Sequence, residues 1–142
     1  MDKVLSLAPL PAIIISELFK MQGVEGIEVV DGSGFSPEQI VEAVQDAQYV
    51  IGDYTFQRHI TRAVAQAARQ VKLIQQPSVG YQHIDVGACT EYGIKVANTA
   101  GANTIAVAEH TVMTALCLLK NMLFAARTTA AGEWRQMDVR PV

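Results

Sequence analysis

Short apolar runs alternate with amphipathic stretches along the first hundred residues, and this alternation leaves few architectures open. Val4 to Ala8, Ile27 to Val30, Gln48 to Ile51, Val71 to Gln75 and Lys95 to Ala97 read as strands. Between them, Pro11 to Met21, the segment after Ser36, Ile60 to Ala68 and Asp85 to Tyr92 read as helices. "SPEQIVEAVQDA" places Ser36 as N-cap, Pro37 at the first helical position and Gln39 two positions later, a capping-box pattern. Strands that alternate with helices need right-handed crossovers and therefore a parallel sheet. The expected fold class is α/β, an open five-stranded parallel sheet with flanking helices. Ligands of such sheets bind beyond the carboxyl ends of the strands. The loops there are Ala8-Pro9-Leu10, Asp31 to Gly34, Asp53-Tyr54-Thr55, Gln76 to Gln82 and Asn98 to Asn103.

The last third differs. No strong helix breaker occurs from Thr104 to about Ala126, so one helix roughly 33 Å long is expected. Ile105, Ala108, Val112, Ala115, Leu119 and Met122 form an a/d seam. Met113, Leu116, Leu118 and Leu123 widen it, so the helix is apolar on more than one side. Such a helix calls for another domain or subunit; the alternative is a core helix against the sheet with a frayed end. The tail "EWRQMDVRPV" has no capped helix pattern and is expected to be extended or mobile.

Composition narrows the function classes. With 142 residues, half of them hydrophobic and 18% charged, the chain can bury a core and is not disordered. Its net charge of −3 and lack of a basic cluster argue against nucleic-acid binding. Cys89 and Cys117 have no CxxC or His-pair neighbours, so no metal site is expected. Two unpaired cysteines fit a reduced, cytoplasmic compartment. Asp2, Pro9 and Pro11 interrupt what would otherwise resemble a secretory leader, and a first strand is the better reading. Glu109 and His110 interrupt the apolar segment Ile105 to Leu119, which is too short and too polar to span a membrane.

Few chemical motifs survive scrutiny. Gly32-Ser33-Gly34 begins like GxGxxG, but Pro37 stands at the sixth position. Asp53 occupies a phosphoacceptor's place after the third strand, yet the acidic residues and lysine of that chemistry are missing, and a turn or cap role is expected. Ser78-Val79-Gly80 presents successive backbone N–H groups that could form an anion-binding nest. It could equally be a plain strand–loop–helix connection with Asp85 as N-cap. His83 reads as an acid–base group or, more simply, a structural hydrogen-bonding residue. His110 reads as a packing or interface residue.

The stretch "SVGYQHIDVGACTEYGIKVANTAGANTIAVAEHTVMTALCLLKNM", followed by Gly132-Glu133-Trp134, resembles the D-isomer-specific 2-hydroxyacid dehydrogenase family, which includes phosphoglycerate, formate and glyoxylate/hydroxypyruvate enzymes. The resemblance is strongest from Val71 to Trp134. It implies a flavodoxin-like substrate domain over residues 1–103. A long interdomain-type helix and tail over 104–142 would then lead into an NAD(P)-binding domain absent from this chain. The cofactor, NAD or NADP, would be bound by the whole enzyme and not by this chain alone. The family's catalytic Arg, acidic residue and His would also lie beyond Val142, so no catalytic residue is assigned. Arg58, Arg62, Glu109, His83 and His110 take none of those roles.

What carries over is a substrate loop at Ser78, Val79 and Gly80, with Asn103 reaching the substrate and Thr104 approaching the nicotinamide. Tyr54 and Thr55 are added from topology as pocket-lining residues. The implied partners are a 2-hydroxy or 2-oxo acid, the missing NAD(P) domain and a second copy in a homodimer. The chain is accordingly expected to be the substrate-domain portion of a 2-hydroxyacid oxidoreductase, without turnover by itself. The alternative is a non-catalytic module for small-carboxylate binding or oligomerisation.

Overall fold

The computed structural model describes residues 1–139. Five strands form one parallel sheet: β1 (Asp2–Ser6), β2 (Ile27–Asp31), β3 (Tyr49–Ile51), β4 (Leu73–Gln75) and β5 (Lys95–Ala97). Their order is β2-β1-β3-β4-β5, which is the flavodoxin-like order. The register places Ser6 beside Ile51, Ile51 beside Gln75 and Gln75 beside Ala97, so four carboxyl ends line up. The expected α/β sheet is therefore present.

Right-handed crossovers fix where the helices go. The step from β1 to β2 runs opposite to the steps from β1 through β3 and β4 to β5. Helix α1 (Ala12–Met21) thus covers one face, while α2 (Pro37–Ala43), α3 (Arg62–Ala67) and α4 (Val86–Glu91) cover the other. The core lies under the latter three: Leu5, Leu7, Val50 and Ile74 from the sheet side meet Ile40, Val44, Val64, Ala65, Ala88 and Cys89. On α1's side, Tyr49, Ile51 and Leu73 stay only half-buried. With Phe19, Val24 and Ile27 they edge a shallow groove of about 800 Å³.

Local signals explain most element ends. The capping box of Ser36 and Gln39 forms, with the Gln39 N–H 3.3 Å from Ser36 Oγ and the Ser36 N–H 2.8 Å from Gln39 Oε1. Asp85 caps α4, accepting from the Ala88 N–H at 2.8 Å. Ile60 does not join α3, as its sequence position suggests. It bridges Ile84 instead, its N–H donating to the His83 carbonyl at 3.0 Å and its carbonyl accepting from Asp85 at 2.8 Å. Thr61 then caps the shortened helix.

The chain divides into two compact units, Met1–Ala102 and Asn103–Val142. In the second, the expected single long helix is broken in two: α5 (Thr104–Leu119) and α6 (Met122–Ala130). Asn121 adopts left-handed backbone, φ 52° and ψ 40°. Asparagine tolerates that conformation better than any residue but glycine, so it ends a helix without the usual Gly or Pro signature. The apolar seam of Ile105, Val112 and Leu119 therefore belongs to α5 alone, and Met122 opens a new axis. No residue of α5 is buried in this chain. The tail is not simply extended: Gln136–Asp138 form a 3-10 turn, with Arg135 Nε 2.7 Å from Asp138 Oδ2. Arg140, Pro141 and Val142 of the expected extended tail lie outside the described residues. Among those described, no helix is long and apolar enough to cross a membrane.

Candidate functional site

The loops after β3 and β4 meet at the carboxyl edge of the sheet, and buried polar side chains join them. Asp53, which is 0% exposed, follows β3 and folds the next five residues around its carboxylate. Oδ1 accepts from the Thr55 N–H at 2.7 Å and the Thr55 hydroxyl at 2.6 Å. Oδ2 accepts from the N–H groups of Gln57 at 3.2 Å and Arg58 at 3.1 Å. The Arg58 guanidinium stands 3.5 Å from Oδ2. Burial works to raise the carboxyl pKa, but the bonds from Thr55, Arg58 and Gln57 outweigh it and hold the value below 3.8. The turn role expected of Asp53 is thus played from a buried position. Within this turn Phe56 takes left-handed backbone, φ 61°. Tyr54 is exposed, while the Thr55 hydroxyl hydrogen is committed to Asp53.

The Ser78–Gly80 loop is held by its carbonyls. The Ser78 carbonyl accepts from the Thr99 N–H at 3.2 Å, the Val79 carbonyl from Asn98 Nδ2 at 2.8 Å, and the Gly80 carbonyl from Ser78 Oγ at 3.1 Å. A trans peptide points its N–H opposite to its carbonyl. Pinning these three carbonyls therefore also fixes the directions of the N–H groups of Val79, Gly80 and Tyr81. Among the described residues none of the three donates to a protein acceptor. Three consecutive unpaired donors on a fixed turn suit an acceptor-only group such as a carboxylate. Asp85 also caps α4, as the plain strand–loop–helix connection requires.

Gly80 has no special φ; its lack of a side chain permits close approach. A Cβ there would lie 2.9 Å from Phe56 Cζ and 2.9 Å from Gln82 Oε1. The Phe56 ring also meets the His83 ring edge-on, centroids 4.8 Å apart. His83 is 5% exposed, and neither ring nitrogen has a partner among the described residues. It is thus a packing residue where a hydrogen-bonding one was expected.

Burial pushes the His83 pKa below the ordinary 6.5; His59, 6.2 Å away between ring centroids, adds to this and Asp53 partly opposes it. The folded state then binds fewer protons at this ring than the unfolded chain does. Stability is complete above the unfolded value of 6.5 and declines as the pH falls from there through the lowered folded value. The midpoint of urea unfolding should therefore drop between about pH 7 and pH 5, and His83→Phe should flatten that slope. An unchanged slope in His83→Phe would assign it to another group.

Asn103 and Thr104 open the second unit. Asn103 precedes α5 without a side-chain cap bond, its carbonyl accepting from the Val107 N–H at 2.9 Å, and Thr104 is the first helical residue. Both side chains are exposed. Among the described residues no group of His, Cys, Asp and Glu is placed to hold a metal. Topology places Gln76 at the start of a candidate loop without giving it a role, and nothing singles out Gly52, yet both sit at the centre of the loop network. Glutamine carries no motif, and Gly52 has no turn signature.

The comparisons agree on one group. A family model described as D-isomer specific 2-hydroxyacid dehydrogenase, catalytic domain, matches residues 4–132. D-3-phosphoglycerate dehydrogenase of Archaeoglobus fulgidus is 32% identical over 111 residues, covering 78% of this chain and 21% of that protein. Formate dehydrogenase of Chaetomium thermophilum is 33% identical over 111 residues, covering 77% and 29%. Among solved structures, the NAD-dependent formate dehydrogenase of Staphylococcus aureus in complex with NAD aligns with a TM-score of 0.67 at 28% identity, over 94% of this chain and 43% of that one. A protein of Pyrococcus horikoshii aligns with a TM-score of 0.76 at 29% identity, over 96% and 39%. The chain thus spans between a fifth and a third of the length of these curated relatives.

Proposed function

The chain belongs to the D-isomer specific 2-hydroxyacid dehydrogenases, and from that premise we propose that it forms the substrate-binding wall of an NAD(P)-dependent oxidoreductase acting on the CH–OH group of a 2-hydroxy acid, or on the matching 2-oxo acid. The observation that carries this reading is the loop whose three carbonyls are pinned and whose three N–H groups are not. Val79, Gly80 and Tyr81 would donate to the acid's carboxylate or oxo oxygen. Donors fixed in advance need little reorganisation when a negative group arrives. Tyr54 and Thr55 would line the same pocket. Residues 1–103 are the substrate unit in this reading, and 104–142 lead toward the NAD(P) domain. Asn103 is assigned to the substrate and Thr104 to the nicotinamide side, where the positive end of the α5 dipole adds to the attraction for anions.

Gly32-Ser33-Gly34 is poorly suited to hold a dinucleotide's pyrophosphate. It leads into α2, where Pro37 has no N–H and the capping box already holds those of Ser36 and Gln39. Asp31 accepts from the Ser33 N–H at 2.9 Å, placing a carboxylate where a pyrophosphate would have to approach. No part of hydride transfer is assigned to this chain's residues. NADH oxidation with glyoxylate, hydroxypyruvate or pyruvate is accordingly expected to be undetectable for this chain.

Pyruvate titration followed by amide NMR tests the site. Saturable shifts are expected at Val79, Gly80 and Tyr81; shifts confined to other amides would reject the assignment. The apolar seam of α5 further supports a homodimer in this reading, because isolated chains rarely leave so large an apolar stripe bare. Light scattering at high concentration should report twice the chain mass, and a clean monomer would reject the dimer.

A further inference from the structure

We infer that Gln76 is a positioning residue: it latches the anion loop to the Asp53 loop and so fixes which way the loop's donors face. Gln76 is 0% exposed and sits directly after β4. Its backbone continues the sheet edge, the N–H donating to the Ala97 carbonyl at 2.7 Å. Its side-chain Nε2 donates twice, to the Asp53 carbonyl at 3.3 Å and to Ser78 Oγ at 2.7 Å. The Asp53 carbonyl can only accept, which fixes the amide orientation. Ser78, having accepted from Gln76, donates its own hydroxyl hydrogen bond to the Gly80 carbonyl at 3.1 Å. Donation thus runs outward from Gln76, to the Asp53 carbonyl on one side and, on the other, through Ser78 to the peptide that aims the Tyr81 N–H.

Gly52 is the other half of the device. A Cβ at Gly52 would overlap Gln76 Oε1, so the amide fits only because that position is bare. Oε1 is buried without a partner among the described residues. Such an oxygen is costly to leave unpaired, and it is tolerated here while the two Nε2 bonds hold the amide in place. The network also explains how the loop keeps its shape without any β-ladder beyond Gln76.

The effect on ligand rests on the proposed carboxylate reading, but the latch can be tested without ligand. In ligand-free NMR, Gln76→Met and Ser78→Ala should broaden or split the amide signals of Val79, Gly80 and Tyr81. Ser78→Thr, which keeps the hydroxyl, should restore single sharp signals, while the unfolding midpoint differs little between Ser78→Ala and Ser78→Thr. With pyruvate as probe, Ser78→Ala should weaken binding on the order of tenfold, as the loss of one or two hydrogen bonds would. The double variant should bind no more weakly than Gln76→Met. Unchanged loop signals in Ser78→Ala would overturn the latch even if Gln76→Met fails to fold, and so would strictly additive losses in the double variant. A wild-type chain that binds no pyruvate would reject the carboxylate reading, and the ligand-free spectra would still decide the latch.

Discussion

Asp53→Ala should lower the stability of the first unit by about 3 kcal/mol, read as a fall in the urea midpoint. The change removes an acceptor pair that serves three backbone N–H groups and one hydroxyl, all within five residues. Bonds to a charged acceptor contribute about 1.5–3 kcal/mol each when buried. The total is less than their sum, because the loop can open and return some donors to water. It also strands the Arg58 guanidinium, 22% exposed, beside an apolar methyl. Asp53→Asn should fall between the two, since one oxygen would be replaced by an NH2 that faces other donors. The linkage has a fixed sign. A carboxyl held below 3.8 in the folded chain stabilises it above that pH and ceases to do so as the pH falls through the folded value. Asp53→Ala should therefore lose the part of the acid limb that lies below the ordinary carboxyl value of 3.8, while the His83 slope at higher pH remains. A wild-type urea midpoint in Asp53→Ala would show that the carboxylate does not organise the loop.

Gly80→Ala should weaken pyruvate binding by about 100-fold, the equivalent of two or three hydrogen bonds of about 1 kcal/mol. The new methyl would stand 2.9 Å from both Phe56 Cζ and Gln82 Oε1. Gln82 is exposed and can swing away. Phe56 is 41% exposed, but its ring packs edge-on against His83, a contact it would give up by swinging away. Loop and ring are expected to share the displacement, and the N–H groups of Val79, Gly80 and Tyr81 shift with the loop. Trimming the obstacle should reverse much of this: Gly80→Ala in a Phe56→Ala background should bind better than Gly80→Ala alone. Equal affinity of Gly80→Ala and wild type would mean that the Phe56 contact does not set the loop.

The division between what could be read in the residues and what could not follows the range of the forces involved. Ser36 with Gln39, Asp85 and the apolar runs act over a few residues, and those elements formed as their local chemistry requires. Ile60 was drawn out of α3 by a partner at Ile84, a pairing that spans more than twenty positions. Asn121 ended α5 because asparagine tolerates left-handed backbone, a tolerance that helical periodicity does not register. Ser78 and Gly80 stood out through turn chemistry and the family pattern. Gln76 and Asp53 could not be linked beforehand, since 23 residues separate them and only the parallel pairing of β3 with β4 brings them together. His83 invites an acid–base reading as a bare letter. Its ring is buried against Phe56 and, among the described residues, makes no hydrogen bond.

The three carbonyls pinned behind Ser78, Val79 and Gly80 also bear on how such a loop can evolve. If main-chain donors read the carboxylate, the side chains of Val79 and Tyr81 are free to drift, because any residue other than proline supplies the same N–H. A lineage could then change which acid it accepts by substituting outward-facing side chains, including Tyr54, without disturbing the grip on the carboxylate. Heritable constraint would fall instead on Gly80, which touches Phe56, and on Gln76 and Gly52, which an acid held by those N–H groups need not touch.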